Sequence, residues 1–392
     1  MTGRWSYNHG LRAPSSGSLR VAPARRLAFE VLRAVEAGGF ASDLLRERSA
    51  GLDPRDAGLA GEIVFGVLRY QLQLDFLRDR FAGRTLEVPP QVNLALRMGI
   101  YQLRRLDRIP PHAAVGESVA LVRQAGFETA AGLVNAVLRK VHRRPVRWPN
   151  RAVEWSHPEW LLERWTRHFG AELALGIARA NLARPETYVR YAGEPPPRLE
   201  PTGIAGAYRC LGAPPPGARV HDLGSQSIVP LLDLRPGQWF LDLCAAPGNK
   251  TAQAREAGVW AVACDLRLRR LRQVDCPDRV LVDGTQPLPF PRCFDRVLVD
   301  APCSGTGTLG RNPEIKWRLR PADLAGFHRR QAALLARARE VVKPGGLIVY
   351  STCSLESEEN EEVAGELAVR QGYRIPGREP GDGFYAAVVQ SG

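Results

Sequence analysis

Two cysteines and one turn are the places in this chain where residue type and spacing could do chemistry. Cys353 lies in Leu347-Ile-Val-Tyr-Ser-Thr-Cys-Ser, directly after a short apolar run, and Cys303 lies in Asp300-Ala-Pro-Cys-Ser-Gly-Thr-Gly, after a second such run. A thiolate is a soft nucleophile, and a thiol just past the carboxyl end of a core strand sits where open α/β sheets keep their ligands. For a single isolated cysteine, the reading as a small buried packing residue would win. Here two cysteines stand in matching positions, and a third strand-like run opens into Cys244-Ala-Ala-Pro-Gly-Asn-Lys-Thr251, a turn of the kind that cradles a cofactor. The seven cysteines (210, 244, 264, 276, 293, 303 and 353) include no pair separated by two residues, so no zinc-type motif is present. Their odd number gives no complete disulfide framework; Cys210, Cys264, Cys276 and Cys293 read as packing residues, and reduced thiols are expected.

The elements that must position these groups follow from the hydrophobic pattern. Apolar runs at 240–243, 260–264, 280–282, 296–299 and 347–350 alternate with helical segments, which predicts a mostly parallel, doubly wound sheet with helices on both faces. The runs end in the 244–251 turn, Asp265, Asp283, Asp300 and Ser351-Thr-Cys, so the chemistry gathers along one rim. Asp265, about twenty residues after a strand–turn–helix, suits the hydroxyls of a ribose, and Asp283 suits an adenine or ribose edge. The turn has neither the three-glycine dinucleotide fingerprint nor the spacing of a phosphate-binding loop. A nucleoside cofactor without a pyrophosphate remains, and S-adenosylmethionine is the expected one, held by Cys244, Ala245, Ala246, Pro247, Gly248, Asn249, Lys250, Asp265, Asp283 and Asp300.

The first half reads differently. Residues 1–20 form a basic Gly/Ser-containing tail, and helical periodicity then runs from residue 21 to about 147 with no alternating strand pattern. Ala22, Leu27, Val31, Leu32 and Val35 share a face before Gly38-Gly39, Asp53-Pro54 is a helix start, and further helices are predicted over 92–103, 113–124 and 129–142. An all-α domain over 21–147 precedes a Pro-rich linker or small subdomain at 148–220 with one aromatic-rich helix, and the sheet domain fills 221–392. Net charge is +13, and only four basic side chains are lysine. That balance predicts a polyanionic partner, most simply nucleic acid, with Arg139, Lys140, Arg143, Arg144 and Arg147 either capping a helix end or meeting RNA phosphate. No apolar run reaches the roughly 18 residues of a membrane span, and a cytoplasmic location is expected.

Three long stretches carry a resemblance. Asp242-Leu-Cys-Ala-Ala-Pro-Gly-Asn-Lys-Thr, Asp300-Ala-Pro-Cys-Ser-Gly-Thr-Gly and Ser351-Thr-Cys-Ser with Glu358-Glu-Asn-Glu look like the signature motifs of the RNA cytosine-C5 methyltransferases. Val64-Phe-Gly-Val-Leu-Arg-Tyr, Arg97-Met-Gly-Ile-Tyr-Gln-Leu, Ile109-Pro-Pro-His-Ala-Ala-Val and Leu133-Val-Asn-Ala-Val-Leu-Arg-Lys resemble the NusB-like RNA-binding domain of the bacterial branch that acts on 16S ribosomal RNA. The resemblance implies a Rossmann-like methyltransferase domain behind an all-α NusB-like one. It also implies S-adenosylmethionine as methyl donor, Cys353 as nucleophile and Cys303 as the residue of product release; a monomer without a metal is expected. Position alone does not choose between the two cysteines. Two departures stand out: Asn249 where the family's turn has a second glycine, and Tyr188-Val-Arg-Tyr where an Arg-x-Asn element is usual. The same chemistry on transfer RNA, or an RNA-binding adaptor that has lost catalysis, are the competing readings.

Overall fold

The computed structural model describes residues 21–392, so the basic tail expected over 1–20 lies outside the described residues. The chain divides into two compact units that meet between Trp148 and Pro149.

The first unit is helical: α1 (Pro23–Glu36), α2 (Ala41–Arg48), α3 (Pro54–Arg69), α4 (Gln71–Ala82), α5 (Pro90–Arg105), α6 (Pro111–Gln124) and α7 (Ala131–Leu138). Leu27, Val31, Leu32 and Val35 of α1 are buried, as are Ile63, Val64, Val67 and Leu68 of α3. Asp53 caps α3 by accepting from Arg55 N at 2.8 Å, with Pro54 at the first helical position. α2 and α4 escape the periodic reading because charged and amide side chains interrupt their apolar faces. The last helix stops at Leu138, so Arg139, Lys140, Arg144 and Arg147 follow it as exposed residues. Arg143 is tied inward to Asp107 and to Leu103 O at 2.9 Å.

The second unit begins with α8 (Arg151–Trp155), α9 (Glu159–Phe169) and α10 (Ala171–Leu182). A four-stranded antiparallel sheet in order β2-β3-β1-β4 follows, from β1 (Tyr188–Arg190), β2 (Leu199–Pro201), β3 (Ala207–Cys210) and β4 (Arg219–Val220). The stretch 148–220, expected as one aromatic-rich helix and a linker or subdomain, is thus more structured than its prolines suggest. From Pro149 on it belongs to the same compact unit as the main sheet. Leu161, Leu162 and Trp165 of α9 and Ile177 of α10 pack with Leu309, Leu355 and Ile375.

The main sheet contains β5 (Trp239–Asp242), β6 (Trp260–Asp265), β7 (Asp278–Leu281), β8 (Phe294–Asp300), β9 (Val342–Thr352), β10 (Ala368–Arg374) and β11 (Phe384–Gln390), in order β10-β11-β9-β8-β5-β6-β7. The five strands from β9 to β7 are parallel, and the closing hairpin β10–β11, unforeseen in the sequence, is antiparallel. Both faces are covered. Leu241, Val297, Val299, Ile348 and Tyr350 pack beneath Leu334, Leu335 and Ala338, whereas Phe240, Leu298 and Val349 face Ile228, Val229 and Leu232. Two buried faces are why these strands read as unbroken apolar runs. The chain reverses direction across the sheet between β5 and β8, and the crevice beyond their carboxyl ends is where such sheets bind ligands.

Candidate active site

The cofactor turn leaves β5 at Asp242 and enters a helix (Asn249–Arg255) at Gly248. Ala246 N donates to Asp265 Oδ2 at 3.3 Å, Arg267 N donates to Asp265 Oδ1 at 2.8 Å, and Arg270 donates to Ala246 O at 2.9 Å. Gly248 has φ +108°, and a Cβ there would lie 3.1 Å from Val274 Cα. Gly248 carries the positive φ of this turn, and Asn249, the departure from the family's pattern, is the first helical residue, donating to Val220 O at 3.3 Å, so its position asks for no left-handed backbone.

Lys250 is not a surface lysine. It is 8% exposed, its Nζ lies 2.6 Å from Asp300 Oδ2 and 5.0 Å from the centre of the Phe384 ring. The other oxygen of Asp300 accepts from Ser351 Oγ at 2.8 Å. Asp300 and Ser351 are direct partners in the β8–β9 ladder, so register alone brings the ends of both cysteine-bearing strands to this ion pair. Thr251 Oγ1 donates to Asp242 Oδ2 at 2.7 Å, while Asp242 Oδ1 is buried without a partner. Burial lifts the Asp242 pKa to about 7, with Asp300 adding to the rise and the Thr251 hydrogen bond opposing it. Asp283 stands beyond β7, exposed, and accepts from Thr285 Oγ1 at 2.7 Å and Thr285 N at 3.0 Å, which draws its pKa down. Its link to the rest of the rim is through backbone, Val282 N donating to Asp265 O at 3.2 Å.

Cys303 and Cys353 come together. Their Sγ atoms are 3.3 Å apart, and both residues are half-buried. The hydrogen bond to Cys353 and burial push the Cys303 thiol well above the ordinary range. Gly307 N donates to Cys353 O at 2.9 Å, and a Cβ on Gly307 would meet Gly383 O at 2.3 Å, so only glycine permits this approach of three loops. Cys244 lies at the turn, its thiol pushed up by burial and by Asp242. Cys264 and Cys276 are buried and likewise raised by burial.

The acidic stretch after Cys353 makes one turn (Ser357–Glu359) and a four-residue helix (Glu361–Ala364). Glu356 and Glu359 point inward. Glu356 binds Arg164 Nε at 2.7 Å and Trp165 Nε1 at 3.1 Å. Sequence reasoning passed over Asp242, Ser351, Phe384 and Glu359 as functional side chains; only Asp242 carried a signal, as the acid that ends the first strand.

The residues present fit S-adenosylmethionine. A buried carboxylate oxygen without a partner at Asp242 Oδ1 suits the cationic end of that molecule, and the glycine at 248 leaves the turn open to close approach. Among the described residues no group of three or more His, Cys, Asp or Glu side chains could hold a metal ion.

Fold and rim together define a Rossmann-like methyltransferase domain that follows a helical one. Residues 229–373 match the family model described as 16S rRNA methyltransferase RsmB/F, and residues 22–143 match that of the NusB family. The ribosomal RNA small subunit methyltransferase B of Cronobacter sakazakii is 32% identical, over 93% of this chain and 98% of its own length. Its counterpart in Vibrio cholerae is 32% identical over 91% and 94%. The chain belongs to the RsmB/F family of 16S rRNA methyltransferases, enzymes that use S-adenosylmethionine to methylate ribosomal RNA. In fold it is similar to the crystal structure of PH0851, with TM-score 0.77 and 21% identity over 96% of this chain and 100% of the other.

Proposed function

We propose that this enzyme methylates C5 of a cytosine in 16S ribosomal RNA, with Cys353 as nucleophile and Cys303 as the protonated partner that serves product release. On this proposal the enzyme acts on unassembled RNA in the cytoplasm, as a monomer. The observation that carries it is the 3.3 Å contact between two strand-end thiols.

Cytosine C5 is too weak a nucleophile to take a methyl group unaided. Addition of Cys353 Sγ to C6 forms an S–C bond and moves the C5–C6 electron pair toward C5, which can then attack an electrophilic carbon. Bound S-adenosylmethionine supplies that carbon as the methyl of a sulfonium. Afterwards the C5 proton leaves, its electron pair restores the C5–C6 double bond, and the S–C6 bond breaks to return the thiolate. Lys250, Asp300 and Ser351 form a polar group beyond the β8–β9 ladder; Asp300 is placed to accept from a cytosine amino group, and Lys250 to balance negative charge on the ring. Asp265 and Asp283 take the ribose and adenine edge. The target base must leave its stack to reach this rim, which is cheapest in a loop or an unfinished fold. The net charge of +13 favours that encounter without reading sequence.

The test uses purified enzyme, S-adenosylmethionine and 16S RNA transcript, with the product read by bisulfite sequencing. Cys353→Ala should abolish transfer, and Cys303→Ala should accumulate a covalent protein–RNA adduct that survives denaturing electrophoresis. Full transfer by Cys353→Ala, or a methyl group found away from cytosine C5, overturns the reading.

A further inference from the structure

Glu359 is fully buried and surrounded by hydrogen-bond donors. Its Oε1 accepts from Ser304 N at 2.8 Å and from Gln331 Nε2 at 3.0 Å; its Oε2 accepts from Ser354 Oγ at 2.5 Å and from Ser304 Oγ. Four donors fill the acceptor capacity of one carboxylate. Ser304 directly follows Cys303, and Ser354 directly follows Cys353. The two hydroxyls are also 3.1 Å from each other. Gln331 ties the group to the long helix Leu324–Val341, and its amide donates as well to Pro302 O at 3.1 Å, on the other side of Cys303. Tyr350, inside β9, donates to Glu359 O at 2.5 Å.

A buried carboxylate bonded to four donors, none of them a cationic side chain, is costly to desolvate, and a fold that needed only packing here would use an apolar side chain. What the carboxylate does that an apolar residue could not is hold two separate loops by their serines at one point. We propose that Glu359 is the positioning residue of the site, a clasp that sets the separation and orientation of Cys303 and Cys353. This deepens the cysteine mechanism above and rests on it for the catalytic consequence, though not for the geometric one. A thiol pair displaced by about an ångström loses on the order of a hundredfold in rate. Glu359 also stands among the charges that hold the Cys303 proton in place.

The test separates geometry from catalysis. Diamide joins two adjacent thiols by taking two hydrogens and two electrons into its N=N bond, leaving a disulfide and a hydrazine. With the full chain, diamide should rapidly remove two mass units from the peptides carrying Cys303 and Cys353. Glu359→Gln replaces one of the two acceptor oxygens by an NH2, so that either Ser304 N and Gln331 or the two serine hydroxyls lose their acceptor, and it should slow that coupling by about tenfold or more. It should also lower kcat by about a hundredfold while S-adenosylmethionine binding stays within about twofold of the parent. The cross-linking rate needs neither RNA nor a particular nucleophile. If Cys353→Ala kept full activity while Glu359→Gln still slowed coupling, the cytosine mechanism would fall and the clasp would stand. Should Glu359→Gln fail to fold, shown by loss of cofactor binding, the Ser304→Ala/Ser354→Ala double variant removes the two hydroxyl tethers while the carboxylate keeps Ser304 N and Gln331. A parent that does not couple, or variants that couple and turn over within about twofold of it, overturn the proposal.

Discussion

Asp242→Asn should change how stability depends on pH more than it changes stability itself. Asp242 is 1% exposed, its Oδ2 holds the Thr251 hydroxyl at 2.7 Å, and its Oδ1 has no partner. Burial lifts its pKa from 3.8 to about 7 in the folded chain. A raised carboxyl pKa means that the folded state binds the proton more tightly than the unfolded one. The stability this supplies is fully present below the unfolded pKa of 3.8 and is lost as pH rises through about 7. At a little over 1 kcal/mol per pH unit, the whole effect is about 4 kcal/mol, of which about 2 to 3 kcal/mol falls between about pH 5 and about pH 8.5. For a unit of this size that is a fall in Tm of about 5 to 10 °C. Burial also raises Glu356 and Asp382, so the parent curve alone does not isolate Asp242. The difference does: Asn keeps an acceptor for Thr251 and cannot ionise, so the variant should gain on the parent by that margin as pH rises. Calorimetric scans of the ligand-free chain across that range measure it. A Tm difference between parent and variant that is flat in pH would refute the reasoning. Binding of a cationic cofactor beside Asp242 should in turn release a proton near neutrality, which titration calorimetry in buffers of different ionisation enthalpy detects.

The turn and the ion pair make further claims. Gly248→Ala forces a Cβ to 3.1 Å from Val274 Cα at φ +108°, so S-adenosylmethionine affinity should fall by about tenfold or more in titration calorimetry. Asn249→Gly should leave that affinity within about twofold, because Asn249 already sits in the helix. Lys250→Met leaves Asp300 with only Ser351 as partner, and single-turnover methyl transfer should drop by about a hundredfold. Neutralising Arg139, Lys140 or Arg144, all exposed past the end of the last NusB-like helix, should each lower the salt dependence of RNA binding by about one ion. A salt slope unchanged in the triple variant would take that surface out of the RNA contact.

The parallel strands were readable because both their faces are buried, which leaves an apolar run no polar interruption. β10 was not readable, since 369–372 is exposed and mostly polar, whereas β11 is an apolar run over 384–389 that the sequence reading passed over. The small antiparallel sheet has strands of two to four residues, too short for any period to show. Side-chain partnerships were harder still. Glu359 stood in a run of acids that suits a helix start, and nothing local distinguishes the one that turns inward to meet residues 28 and 55 positions away.

The thiol pair is a different case, because its geometry follows from one piece of register. Asp300 lies opposite Ser351 in the parallel β8–β9 ladder, and the same ladder holds Val299 against Tyr350. Cys303 comes three residues after Asp300, and Cys353 comes two residues after Ser351, so any parallel pairing of those strands that aligns their carboxyl ends must bring the sulfurs close. A shift of one residue in the ladder would turn every side chain of β9 to the opposite face. In the observed register Ile348 and Tyr350 pack with Leu334, Leu335 and Ala338, and Val349 packs with Ile228, Val229 and Leu232. The 3.3 Å contact between the thiols is thus a consequence of which apolar residues the sheet buries, with Glu359 setting the last ångström.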